Sequence, residues 1–104
     1  ALNVLMDREL PEEERTRIVA LVNKHPETMG LHDLRTRSTG VGAFIELHLE
    51  LDPKLSLAEA HDITDRIEAD LRGGFPNAEV IIHQEPAGLE DERLDRRIAE
   101  SGAG

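Results

Sequence analysis

A chain of 104 residues is the length of one domain, and 38% hydrophobic with 33% charged residues is apolar enough for a core. Its 22 acidic against 12 basic residues leave a formal charge of −10, and two Phe with no Tyr or Trp offer no stacking platform, so nucleic acid is excluded as a partner. The absence of Cys removes disulfides, thiolate nucleophiles and Cys-type zinc sites, so any metal must be held by His nitrogen and carboxylate oxygen.

Residues 1–10 read as a linker. The chain opens on Ala1 rather than Met, which reads as a piece of a longer protein, or as Met removal before Ala. The longest helical apolar run, Ile18 to Val22, is far short of the about 20 residues that cross a bilayer. A first helix starts at Leu10-Pro11-Glu12-Glu13-Glu14, where Pro suits the helix start and three Glu suit the positive end of the dipole. Ile18, Leu21 and Val22 form its narrow apolar stripe, and Pro26 stops it just after Lys24 and His25.

Leu31 to Arg37 reads as a short strand and Ser38-Thr39-Gly40 as a turn. Val41 to Leu51 is the clearest strand: Val41, Ala43, Ile45, Leu47, Leu49 and Leu51 alternate with Glu46, His48 and Glu50, Phe44 being the exception. Ser56-Leu57-Ala58-Glu59 is a capping box that opens a second helix, with Leu57, Ala60, Ile63, Ile67 and Leu71 on one face and Gly73-Gly74 closing it. Glu79 to Glu85 is a third strand, Val80 and Ile82 on one face and Ile81, His83 and Glu85 on the other. Residues 88–104 form a charged tail that reads as frayed or weakly helical.

The order is α-β-β-α-β, an α+β class. The first two strands make a hairpin, and the second helix is a right-handed crossover that leaves the third strand parallel to the second. Two helices cover one sheet face. The other carries the polar positions of the middle strand and stays uncovered within one chain.

None of His25, His32, His48, His61 and His83 lies in a local metal-binding motif. The signal is in the faces. If the second and third strands are neighbours, His48, His83 and Glu85 converge on the uncovered face, and two imidazoles with a carboxylate are a common Zn²⁺ set. Taken from the residues alone, His32 and His61 read as ordinary surface or half-buried side chains; His61 lies to one side of its helix seam and could reach a site at the sheet edge. His25 sits at a helix C-terminus, where the dipole favours it, and takes no ligand role. Acid pairs such as Glu46/Glu50 imply no pocket, and no nucleophile elbow is present, so a small hydrolase has little behind it.

His32-Asp33-Leu34-Arg35-Thr36-Arg37, Phe44-Ile45-Glu46-Leu47-His48-Leu49-Glu50, Ala60-His61 and Phe75-Pro76-Asn77-Ala78-Glu79-Val80-Ile81-Ile82-His83-Gln84-Glu85-Pro86 together resemble the C-terminal cytoplasmic domain of cation diffusion facilitators, closest to the bacterial zinc/ferrous-iron efflux subgroup. The resemblance covers about residues 8–87. It implies a metallochaperone-like, ferredoxin-like two-layer sandwich over 11–87, a homodimer, and a transmembrane domain preceding this chain at the bacterial inner membrane. It implies no enzymatic activity. Divalent metal, Zn²⁺ first and Fe²⁺, Mn²⁺ or Cd²⁺ behind it, would bind at the dimer interface, and closure of the dimer would promote metal/proton exchange. The family's ligands fall on His32, His48, His61, His83 and Glu85; the last is usually Asp, and Glu keeps the charge and oxygen donor on a side chain one methylene longer. The imidazoles must be neutral to ligate, so affinity should fall below about pH 6.5. The competing reading is a free-standing ferredoxin-like dimerisation or small-ligand module with incidental histidines.

Overall fold

In the computed structural model, which describes residues 8–88, the elements follow the order α1 (Glu12–Asn23), β1 (Gly30–Ser38), β2 (Ala43–Leu51), α2 (Leu57–Gly74) and β3 (Ala78–Pro86). The sheet order is β1-β2-β3, with β2 antiparallel to β1 and parallel to β3. A parallel pair cannot be joined by a tight turn, and α2 supplies the crossover. Among the described residues, no helix is long and apolar enough to cross a membrane.

The alternation of β2 decides the layering. Ala43, Ile45, Leu47, Leu49 and Leu51 are buried, while Phe44, Glu46, His48 and Glu50 between them are half-buried. Ile45, Leu47, Leu49 and Leu51 pack with Ile18 and Val22 of α1, with Ile63, Ile67 and Leu71 of α2, and with Phe75 and Val80. Both helices therefore lie on one face of the sheet, and the even-numbered side chains of β2 point away from them.

Local chemistry explains the element ends. The N–H of Glu59 donates to Ser56 Oγ (3.0 Å) and the N–H of Ser56 donates to Glu59 Oε1 (2.8 Å), so the capping box is closed in both directions. The bond from the Ser56 N–H to the carboxylate, with a second contribution from the Ser56 hydroxyl, holds the Glu59 side chain below the usual carboxylate range. At the start of β2 the chain passes against the turn before β3: a Cβ on Gly42 would stand 2.2 Å from the Asn77 carbonyl oxygen, so only Gly fits. Asn77 itself takes the left-handed conformation (φ 67°) that Asn tolerates in turns. The segment before α1 is tied down as well, with Arg8 bridging to Ser38 and the N–H of Leu10 donating to Thr36 Oγ1.

Two sequence expectations are corrected. Val41 was expected to open the middle strand on its apolar face; the strand begins at Ala43, and Val41 is 84% exposed. The turn at Thr39–Gly42 and the close approach at Gly42 set the strand start, so the apolar pattern runs past the ladder. Leu57 was expected on the core seam of α2 but is 80% exposed, and packing against the core begins at Ala60 and Ile63.

His25 joins the two helices. Its Nε2 lies 2.6 Å from Asp70 Oδ2, and Lys24 Nζ stands 3.7 Å from the same oxygen. The His25 hydrogen bond, followed by the Lys24 charge, outweighs partial desolvation and holds the Asp70 carboxyl below its ordinary 3.8. A depressed carboxyl contributes stability above its unfolded pKa and loses it as pH falls through the folded value. Asp70→Asn is therefore expected to melt at lower temperature than the wild type at pH 7, with the gap closing as pH drops below about 3.8. Melting curves from pH 7 to pH 2.5 check this, and a gap that stays constant with pH removes the charge from the explanation.

Candidate metal centre

Three imidazoles stand in a line across the open face. His32, His48 and His83 occupy one rung of the sheet, since His32 pairs with His48 in β1/β2 and His48 pairs with His83 in β2/β3. Their ring centroids are 5.1 Å apart (His32 to His48) and 4.9 Å apart (His48 to His83). The rings of His48 and His83 thus lie on the same side of the sheet, as joint chelation demands.

His32 reaches this row through a β-bulge. Between the pairs His32↔His48 and Arg35↔Glu46, β1 spends one residue more than β2, so Asp33 and Leu34 both stand opposite Leu47. Asp33 is the extra residue and takes φ 53°. The bulge breaks the alternation: Leu34 turns to the core, and His32, two positions earlier, faces the opposite side with His48.

Carboxylates bracket the row. Glu85 lies 2.6 Å from His48 Nδ1 through Oε1 and 3.2 Å from His32 Nε2 through Oε2, and its side chain is only 13% exposed. The two oxygens of this one carboxylate serve two rings. Glu50 Oε2 lies 3.4 Å from His32 Nδ1, and Glu46 Oε2 lies 2.8 Å from His83 Nε2. The bond from His83 is the largest cause holding the Glu46 carboxyl below the usual range. The donor atoms of His32, Asp33 and His48 all lie within 4.8 Å of one another.

This arrangement fits a divalent cation. His32 Nε2 is buried without an aligned hydrogen bond although Glu85 Oε2 is 3.2 Å away. The donors are imidazole nitrogens and carboxylate oxygens, the set that takes first-row divalent ions.

Four of the five sequence candidates, His32, His48, His83 and Glu85, are brought together. His61 is kept apart within one chain. It projects from α2, on the helical layer, is 70% exposed, and lies 3.2 Å from Asp65 one turn along its own helix. Sequence reasoning passed over Asp33, Glu46 and Glu50. For Glu46 and Glu50 the signal was present, because they flank His48 at the strand period and must share its face. For Asp33 there was none, since alternation does not announce a bulge.

A two-layer α-β-β-α-β domain with an open sheet face carrying histidines and carboxylates defines a class of small metal-binding domain. The chain belongs to the cation efflux protein cytoplasmic-domain family, whose model matches residues 10–87. It is 50% identical over 90 residues to the cation-efflux pump FieF of Shewanella oneidensis, covering 86% of this chain and 30% of that protein. It is 46% identical over 98 residues to FieF of Pectobacterium atrosepticum, covering 94% of this chain and 33% of that protein. The chain thus spans about a third of the length of these relatives. Among solved structures, it is similar to the putative zinc transporter CzrB in its Zn form, with a TM-score of 0.72, 38% identity, and coverage of 80% of this chain and 96% of that one. The metal-bound C-terminal domain of the CzcD transporter from Thermotoga maritima gives a TM-score of 0.68 at 31% identity, covering 76% of this chain and 96% of that one.

Proposed function

We propose that this chain is the cytoplasmic regulatory domain of a divalent-cation/proton antiporter of the bacterial inner membrane, a binding domain with no catalytic step of its own. In this reading two copies meet over their open sheet faces. Zn²⁺, with Fe²⁺, Mn²⁺ or Cd²⁺ as lesser candidates, binds at the seam through His32, His48, His83 and Glu85, with His61 as a fifth donor toward the sheet edge. The observation that carries the reading is the row of three imidazoles with Glu85 across two of them, on a face the helices leave open.

The energetics are those of a charge-gated contact. Each chain carries −10, so a pair carries −20, and close approach is opposed by self-repulsion. Divalent cations lower that cost and supply directional bonds from both sides. A ligand that binds only the closed form, at 100 times its dissociation constant, stabilises that form by about 2.7 kcal/mol. This shifts a balanced open/closed equilibrium about 100-fold. The surroundings of the row suit a partner: Ile81, which shares the face of His83 on β3, is exposed. The closed pair would pull together the membrane portions to which the chains connect and so promote efflux.

Small-angle scattering of the 104-residue chain with and without Zn²⁺ tests this reading. Compaction of a dimer on adding the metal is the expected result. A dimer whose profile is unchanged by Zn²⁺ is the behaviour of a constitutive module with incidental histidines, and overturns the switch.

A further inference from the structure

We propose that Glu46 is a cation ligand of the row and sets its ion preference at the His83 end, a role outside the five-residue donor set above. The inference rests on the reading of the row as a cation site and assigns one further residue to it.

The row is too long for one ion. Adjacent strands are about 4.8 Å apart, so His32 and His83, on the outer strands, are about 10 Å apart, whereas a Zn–N bond is about 2.1 Å. No single ion can be bound by both end rings. Glu85 faces the other two rings, with Oε1 toward His48 and Oε2 toward His32. The carboxylate set against His83 is Glu46, with Oε2 at 2.8 Å from Nε2. The two acids reach the rung from opposite sides. Glu46 pairs with Ile81 and leans forward to His83, while Glu85 pairs with Glu50 and leans back to His48. Glu46 is also the more sheltered partner, its side chain 25% exposed against 48% for His83. A shielded carboxylate beside an imidazole makes a mixed nitrogen–oxygen position. Such a position holds Mn²⁺ better, relative to Zn²⁺, than imidazole alone, because carboxylate suits the harder ions.

The same contact could be a hydrogen bond that only props His83, and one substitution separates the two roles. Glu46→Gln keeps an oxygen to accept the His83 N–H and removes the charge and the carboxylate donor. The 104-residue wild type, Glu46→Gln, His83→Ala and the double variant are titrated calorimetrically with Zn²⁺ and with Mn²⁺. The expected result is a loss for Glu46→Gln of about 10-fold in Zn²⁺ affinity and a larger loss in Mn²⁺ affinity. The double variant should be no weaker than His83→Ala, since both residues serve one position. Melting in chelator should match the wild type. Titrations of Glu46→Gln that superimpose on the wild type overturn the inference, as do equal losses for the two metals or losses that add with those of His83→Ala. A wild type that takes up neither metal, or a His48→Ala variant that binds as the wild type does, overturns the parent reading with it. A silent Glu46→Gln in a chain whose His48→Ala variant fails to bind overturns the role of Glu46 alone.

Discussion

His48→Ala is expected to lower the affinity of this domain for Zn²⁺ by 100-fold or more, by about the upper end of what second-shell losses alone produce. His48 is the middle ring of the row. It stands about 5 Å from each neighbouring ring and holds Glu85 Oε1 at 2.6 Å. Its removal takes away one ligand and releases the Glu85 carboxylate that it holds. His83→Ala should cost less, because only one end of the row is lost. His25→Ala is the control: its ring is bonded to Asp70 in the helical layer, on the other side of the sheet. Calorimetric titration of the three variants should therefore rank them His48, His83, His25 in order of loss. Equal affinities across the three would remove the histidine row from metal binding altogether.

Which residues form the row was only partly readable from the chain. Strict alternation in β2 put His48 on the polar face, and the residue types of β3 put His83 and Glu85 beside it, because a side-chain period of two leaves no freedom once one face is buried. The capping box placed the start of α2 for an equally local reason. The facing of His32 could not be obtained this way. His32 and Leu34 share parity, and only the extra residue Asp33 in a left-handed conformation sends them to opposite faces. Val41 and Leu57 failed in the opposite sense: each continues an apolar pattern beyond the point where tertiary packing ends. Glu46 was passed over because an acid on a half-exposed strand is ordinarily solvated, and its significance depends on a diagonal contact that no single-strand pattern contains. His61 stays with its own helix, 3.2 Å from Asp65, as its position to one side of the α2 seam allows.

Leu47→Ala separates the two faces of the same strand. Leu47 is fully buried at the centre of β2, between Glu46 and His48, whose side chains point the other way. Truncating a buried Leu costs about 2–5 kcal/mol, through lost transfer energy and the cavity left behind. Against the about 5–15 kcal/mol of a typical domain this is a severe loss, and the melting temperature should fall by roughly 10 °C or more. Zn²⁺ affinity of the folded variant should nevertheless stay near the wild-type value, because the cavity opens toward the helices and not toward the row. Saturating Zn²⁺ should then raise the melting temperature of wild type and Leu47→Ala alike, as binding to the native state alone requires. His48→Ala should show the reverse pattern, with apo stability close to wild type and little gain from the metal. If Leu47→Ala binds Zn²⁺ as poorly as His48→Ala at a temperature where both are folded, the two faces of β2 are not independent, and the positioning of the histidines by a rigid, helix-backed sheet is wrong.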